Sequence, residues 1–228
     1  MVTRRQRRNG SVRQAHPLAG FESGPQQIVG IGINAATLYA YCFKPPLSTR
    51  SCNTAIRPAM IKSMKWLQAN APGFNHLAKD EQAAITDFAL LWSLFESRVL
   101  NTQGNVKAIC DTVKAWQNAG MLDADAFDAE LAYFRQRYYA DGAFTYHFDH
   151  LHFRNPDREA LVRAVIDGGD NDPCSRVTAV LIIVFRYRNN LFHGVKWQYK
   201  LQGQLGNFST ANDVLMKVLE RHGALADG

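Results

Sequence analysis

Apolar side chains recur at helical spacing along most of the chain after residue 57, and polar or helix-breaking residues separate the apolar segments. We expect Asp80 to cap one of these helices at its start and Gly120 to end another. This part of the chain contains neither a strand-rich region nor an internal repeat, so the pattern predicts an all-α fold. The predicted helices cover residues 57–70, 80–99, 105–119, 123–139, 156–166, 175–192 and 211–222.

The predicted helix 175–192 differs from the others because its first half is apolar on all sides. Residues 177–185 form an unbroken run of apolar or small side chains, which predicts that this helix is central and the most buried. Its second half changes to a polar cluster that ends at Gly194, a residue typical of the position just after a helix. The cluster consists of Arg186, Arg188, Asn189, Asn190 and His193.

The positive charge of the protein is concentrated at its start. The net charge is +6, but five arginines precede the first acidic residue, Glu22, and without them the chain carries 21 basic and 20 acidic side chains. The overall charge therefore does not indicate a nucleic-acid-binding surface on the folded part. We expect residues 1–17 to be a disordered basic arm, residues 18–56 a less regular extension, and residues 57–222 the all-α domain.

Cysteine usage and hydropathy bear on the location of the protein. The four cysteines form neither a C-x-x-C pair nor a close cluster, which is typical of reduced thiols and not of a disulfide framework or a zinc site. The basic arm lacks the apolar segment of a signal peptide, and no stretch is apolar enough for a transmembrane helix. We therefore expect a cytoplasmic protein without membrane contact.

Helical geometry limits which members of the polar cluster can act together. Asn189 and His193 are four residues apart and share a face, whereas Arg188 and His193 are five residues apart and therefore about 140° apart around a regular helix. The arginine and the histidine converge only if the end of the helix unwinds or if a second chain completes the site. A purely structural alternative is that the arginine and the asparagines cap the helix while the histidine favours its negative end.

The segment 185–194 resembles the signature of the HEPN superfamily (higher eukaryote and prokaryote nucleotide-binding domains). That signature is an arginine, often followed by asparagine or aspartate, with four to six residues before a histidine. Arg188 and Asn189 followed by His193 fit the shorter spacing, and Arg186 with the same histidine fits the longer one. The resemblance implies a helical bundle of the HEPN type.

The resemblance extends over roughly residues 80–222 and implies cleavage of RNA without a metal ion or another cofactor. It assigns His193 as the general acid or base, Arg188 as the clamp on the phosphate, and Asn189 as the residue that orients the histidine or the phosphate. The expected products are a 2′,3′-cyclic phosphate and a 5′-hydroxyl. The residues expected to support this site are Arg186, Asn190 and Glu96.

The resemblance also implies partners besides RNA. HEPN ribonucleases commonly place two motifs face to face, so we expect a homodimer with a composite cleft, acting as a toxin or defence effector with an antitoxin or other regulatory partner. In one toxin branch, a partner enzyme modifies a tyrosine two positions after the histidine; Val195 stands there in this chain, so that form of control is not expected. The alternative is a non-catalytic HEPN-like module for dimerisation or nucleotide binding.

Further residues are candidates for contacts with RNA or with a metal ion. Arg135 and Arg137 alternate with aromatic residues, which suits the stacking and gripping of single-stranded RNA but equally a core stripe with a solvated face. Lys196 and Trp197 follow the motif directly and are also assigned to RNA binding. Histidines and an aspartate between residues 147 and 152 leave a metal-dependent enzyme as a third hypothesis, although the interleaved apolar residues favour a segment that covers the core.

Overall fold

The structure, a computed structural model, describes residues 62–194 and 201–225, all of which belong to the unit Ile56–Gly228. Predictions for residues beyond these ranges stay predictions. Outside the described residues lie the basic arm 1–17, the extension 18–56, Val195, Lys196 and Trp197.

The described residues fold mostly into helices, which confirms the all-α prediction for this part of the chain. They also contain a short antiparallel hairpin, β1 (Tyr139–Ala140) and β2 (Ala143–Phe144), in which Tyr139 pairs with Phe144. Within the described ranges, no helix is long and apolar enough to span a bilayer. The α-helices are α1 (Lys62–Asn70), α2 (Lys79–Arg98), α3 (Val106–Asn118), α4 (Asp128–Tyr138), α5 (Tyr146–Asp149), α6 (Glu159–Ile166), α7 (Pro173–Phe192) and α8 (Leu205–His222).

Helix α7 is the centre of the core, as its apolar run predicts. Every residue from 177 to 185 is buried, and the helix packs against α3, α4, α6 and α8. A helix that other helices surround needs apolar side chains on all sides, which the run supplies. The helix begins where Asp172 Oδ2 accepts a hydrogen bond from the Ser175 N–H at 2.9 Å, which satisfies one of the free N–H groups of the first turn.

Two tyrosine hydroxyls form a buried polar contact inside this core. Tyr138 of α4 and Tyr187 of α7 share a short hydrogen bond, and Tyr187 Oη also donates to Asn207 Oδ1 of α8 at 3.2 Å. Burial raises the pKa of both hydroxyls above the usual tyrosine value of 10.0, so both stay neutral. Because Tyr187 lies between Arg186 and Arg188, the contact anchors the polar end of α7 to two neighbouring helices.

The start of α2 shows where a predicted helix cap was wrong. Helix α2 begins at Lys79, with Ala78 in the N-cap position that we predicted for Asp80. An alanine side chain accepts no hydrogen bond, but the Glu81 carboxylate accepts one from the Ala78 N–H at 3.0 Å. This interaction, together with the negative charge of Asp80 in the first turn, stabilises the N-terminus in place of a side-chain cap.

Three other predicted helices have different limits in the structure. The predicted helix 123–139 begins with a 3-10 turn (Asp125–Phe127), and α4 itself starts at Asp128. The segment 156–166 is interrupted at Arg158, whose left-handed φ of +53° ends a 3-10 turn before α6 begins. Helix α8 begins at Leu205, earlier than predicted. The sequence pattern did not predict this start because Gly206 is a weak helix former. Glycine fits there because a Cβ would lie only 2.7 Å from the Tyr133 hydroxyl.

The hairpin between α4 and α5 was not predicted. Its turn residues, Asp141 and Gly142, have φ values of +52° and +77°, the combination that a two-residue hairpin turn requires. An Asp-Gly pair is a hairpin signal in itself, but strands of two residues carry no alternating pattern to support it. The hairpin reverses the chain so that α5 packs against α4.

Candidate active site

The polar cluster lies at the C-terminal end of α7, which stays regular to its last residue, Phe192. The His193 N–H donates to the Asn189 carbonyl at 2.9 Å, and Gly194 has the left-handed φ of +75° that suits the residue after a helix. The end of the helix therefore does not unwind. Arg188 and His193 consequently stay about 140° apart around the helix axis.

Two members of the cluster, Arg186 and Asn190, are buried and hold the turn that precedes α6. Arg186 is 1% exposed; its nitrogens donate to the Leu151 carbonyl at 2.9 Å, to Asp157 Oδ2 at 2.8 Å, and to the His152 carbonyl. Asn190 Nδ2 donates to the Leu151 carbonyl at 3.3 Å. Burial lowers the pKa of Arg186, and the Asp157 carboxylate opposes that shift. Both side chains therefore fix the backbone of this turn.

Arg188 is the arginine of the cluster that remains partly accessible, with 27% of its side chain exposed. Its guanidinium carbon lies 5.8 Å from the centre of the Trp92 ring and 5.5 Å from that of Phe192. One nitrogen donates to Asn189 Oδ1 at 3.1 Å, and another lies 3.6 Å from Glu96 Oε2. Arg188 Nε is sealed from solvent and has no hydrogen-bond partner among the described residues. The guanidinium is thus oriented without all of its donors being used.

Glu96 is held next to Arg188 by two residues that the sequence analysis did not assign to the site. Trp92 Nε1, one turn earlier on α2, donates to Glu96 Oε2 at 2.6 Å. Gly104 leaves the space that the carboxylate occupies, because a Cβ there would lie 2.5 Å from Glu96 Oε1. The spacing of four residues between Trp92 and Glu96 was the available signal. Glu96 therefore acts through Arg188, as a positioning residue.

The remaining two members of the cluster differ in exposure. Asn189 is 6% exposed and contacts Arg188, whereas His193 is exposed at the tip of the helix. Among the described residues, the structure therefore brings Arg188, Asn189 and Glu96 into one cluster. It leaves His193 accessible, but on a different side of α7 from Arg188.

The two described arginines that we assigned to RNA binding have different surroundings. Arg135 is committed to the protein, since it donates to the Val165 carbonyl at 2.9 Å and to Asn171 Oδ1 at 2.8 Å. Its role is to fix the end of α6. Arg137 lines an open cavity of about 590 Å³ formed by α4 and α5, together with Tyr146, which is 68% exposed. Arg137 is partly exposed, and its Nε is buried without a hydrogen-bond partner among the described residues.

The histidines that follow the hairpin do not form a metal cluster in this structure. His150 and His152 are exposed, and their ring centres lie 5.9 Å apart. Phe148 and Leu151, which alternate with them, are buried. No group of three or more potential histidine, cysteine or carboxylate ligands comes together within residues 62–194 and 201–225. The segment covers the core with its apolar residues.

Comparison with protein-family models, with curated proteins and with solved structures gives no match for this chain. The resemblance to HEPN proteins therefore stays a prediction from the sequence.

Proposed function

We propose that this protein is an endoribonuclease of the HEPN type that cleaves RNA without a metal ion and serves as a toxin or defence effector. The supporting observation is the contrast between the two arginines of the motif. Arg186 is buried and its donors bind the protein itself. Arg188 is oriented by Trp92 and Glu96, but its side chain is partly exposed. It is therefore the arginine that suits a phosphate.

A histidine and an arginine can catalyse this cleavage, the first by acid–base catalysis and the second by stabilising negative charge. His193 removes the proton from a ribose 2′-hydroxyl, or donates one to the departing 5′-oxygen. The bond from the 2′-oxygen to phosphorus forms, and the bond from phosphorus to the 5′-oxygen breaks. Arg188 binds the non-bridging oxygens as negative charge develops on them. The products are a 2′,3′-cyclic phosphate and a 5′-hydroxyl.

The geometry of α7 gives this reaction a requirement for a second copy of the chain. Because the helix does not unwind, Arg188 and His193 of one chain face different directions. In a two-fold dimer, each chain can present its His193 to the Arg188 of its partner. Phe192, which is 54% exposed next to His193, gains burial in such an interface. A homodimer is therefore part of the proposal, as is an antitoxin or other regulatory partner that restrains the enzyme.

Contacts with the rest of the RNA are assigned to the surface around α4 and α5. Arg137 supplies charge there, and the exposed Tyr146 supplies a ring on which a base can stack. Lys196 and Trp197 remain candidates on their sequence position alone. Asn189 and the carboxylate on α2 position the clamp and do not touch the reacting atoms.

Cleavage assays with the purified protein test the proposal. Unstructured RNA in excess EDTA is expected to be cut by the wild-type protein. The substitutions Arg188→Gln and His193→Gln are each expected to lower the rate by about 100-fold or more without changing the unfolding temperature. Arg221→Gln and His76→Gln change exposed residues of the same types outside the cluster and outside the surface around α4 and α5, so both control variants should keep full activity.

Two outcomes contradict the proposal. One is the absence of cleavage with every RNA tested, and the other is cleavage that survives either substitution in the cluster. Activity that requires added metal would instead favour the third hypothesis, the metal-dependent enzyme. Toxicity on expression that His193→Gln relieves would support the proposed role in the cell.

A second candidate function is a non-catalytic dimerisation or nucleotide-binding module. It is favoured by an apolar groove of about 620 Å³ between α2 and α8, where Leu90 is 68% and Met216 41% exposed. Dimerisation that Leu90→Lys abolishes, in a protein that cleaves no RNA, would support this candidate. Light scattering over a range of concentrations measures the dimer, and the absence of RNA cleavage separates this candidate from the ribonuclease, which is also proposed to be a dimer.

A further inference from the structure

A cavity of about 340 Å³ adjoins the candidate active site, and Asn189 lines it. The first turns of α3 form one wall, the turn over residues 154–158 forms a second, and α7 forms a third. We call this cavity the α3 pocket. Its charged lining residues are Lys107, Asp111, Arg154, Asp157, Arg158 and Arg186.

Two of the basic side chains in the α3 pocket are neutralised by the protein, and two are not. Lys107 pairs with Asp111 one turn later on α3, and the buried Arg186 pairs with the aspartate of the 154–158 turn. The guanidinium groups of Arg154 and Arg158, in contrast, have no hydrogen bond or ion pair with another described residue. The lining therefore carries about two unbalanced positive charges.

The start of α3 adds uncharged hydrogen-bond donors to this charge. Asn105 Oδ1 accepts from the Ala108 N–H at 2.9 Å, and the Ile109 N–H makes the first bond along the helix, to the Asn105 carbonyl. The N–H groups of Val106 and Lys107 come earlier and have no acceptor within the helix. Both residues line the pocket, and the helix dipole adds partial positive charge there.

The remaining walls neither repel an anion nor move easily. Burial raises the pKa of the Cys110 thiol above its usual 9.0, while Arg158 opposes that shift, so the thiol is protonated at neutral pH. Asn189 is uncharged. Arg186 is fixed by three hydrogen bonds to the protein, which gives one wall a rigid position.

We propose that the α3 pocket binds a phosphomonoester dianion, carried by a free nucleotide or by the 5′ end of a nucleic acid strand. The charge of such a group at neutral pH, about −1.5 to −2, matches the unbalanced arginines. Guanidinium forks and helix N-terminal N–H groups both suit phosphate oxygens. The volume is near the lower limit of small-molecule sites, roughly 300–1,000 Å³, so it suits one phosphate with its sugar. The proposal does not depend on RNA cleavage.

Calorimetric titration with AMP and with adenosine tests the phosphate requirement. AMP is expected to bind at least about tenfold more tightly than adenosine. The double variant Arg154→Gln/Arg158→Asn should lose that preference, and asparagine is chosen at 158 because it tolerates the left-handed backbone there. Lys114→Gln, on the exposed side of α3, removes one positive charge outside the pocket, so it should change AMP binding by less than about twofold.

A second arm of the experiment distinguishes the two sources of the phosphate. Short DNA strands with a 5′-phosphate or a 5′-hydroxyl serve as probes, since DNA lacks the 2′-hydroxyl that the proposed cleavage needs. Tighter binding of the phosphorylated strand than of AMP would identify a strand end as the ligand. Equal or tighter binding of AMP would identify a free nucleotide. Either result supports the pocket.

Protection of Cys110 provides a readout on the wild-type protein that needs no variant to fold. Saturating AMP is expected to slow alkylation of this thiol by about threefold or more, and adenosine is not, as measured by peptide mass spectrometry. The proposal is overturned if neither phosphorylated probe binds better than its unphosphorylated counterpart. It is also overturned if binding survives the double substitution, or if Cys110 is alkylated at the same rate with AMP.

Discussion

Replacement of Asp157 by asparagine tests the structural role of Arg186 at the end of α7. The carboxylate accepts one hydrogen bond from Arg186 at 2.8 Å and one from the Arg154 N–H, also at 2.8 Å. Both side chains of the ion pair are almost completely buried, with 2% and 6% exposed. Asparagine keeps the shape of the side chain but removes its charge, so the buried guanidinium loses its counterion.

The expected loss of stability follows from that burial. Removing one partner of a buried ion pair costs about 3–5 kcal/mol, and Arg186 keeps two backbone carbonyls as acceptors, which places the expected value near the lower limit. For a domain of this size, about 3 kcal/mol corresponds to a decrease of roughly 6–12 °C in Tm. The Asp111→Asn substitution breaks an exposed pair with Lys107 and should cost less than about 1 kcal/mol.

Urea unfolding followed by circular dichroism measures both variants under the same conditions. The reasoning about Arg186 is refuted if Asp157→Asn costs less than about 1 kcal/mol, or no more than Asp111→Asn. A large loss in the first variant alone would show that this arginine holds the turn before α6. Substitution of Arg186 would then be expected to lower activity by unfolding the protein, whereas substitution of Arg188 would lower it in a folded protein.

Three further predictions follow from individual contacts. In Gly104→Ala, a Cβ would lie 2.5 Å from the Glu96 carboxylate, so the rate of RNA cleavage should decrease about tenfold or more. Gly104→Ser should lower the cleavage rate at least as much, and unchanged kinetics would contradict this prediction. Burial and Arg221 lower the pKa of His222 below 6.5, so protonation favours the unfolded state, and the free energy of unfolding should fall as the pH drops through 6.5. This pH dependence of stability should weaken in His222→Gln, and an equal pH slope in both proteins would contradict the prediction. Asp172→Ala removes the N-cap of α7 and should cost about 0.5–2 kcal/mol in urea unfolding; a loss below that range would show that the cap is dispensable.

The sequence predicted helices best where burial or capping left a local signal. The apolar run of α7 indicated its central position, and Asn105 with Gly120 marked the limits of α3. The hairpin turn at residues 141–142 escaped prediction because its strands are too short for a period of two. The early start of α8 was not predicted because a glycine in the first turn weakens the helical pattern. The reason for that glycine is close packing against another helix, which the sequence does not show.

Only the part of the candidate site that is formed by residues close together in the sequence could be predicted. The spacing of Arg188, Asn189 and His193 identified the motif, but the roles of the two arginines depend on residues far away in sequence. Arg186 meets the turn that begins about 35 residues earlier, and Arg135 likewise meets the end of α6 about 30 residues later. No local pattern encodes such contacts.

Complementation between two inactive variants shows whether two chains share one active site. Arg188→Gln and His193→Gln chains, co-expressed with different affinity tags, give a heterodimer that tandem purification isolates. If each site takes its arginine from one chain and its histidine from the other, one site of the heterodimer is intact, and about half of the wild-type activity should return. A heterodimer as inactive as either parent would contradict a shared site at the ends of the two α7 helices.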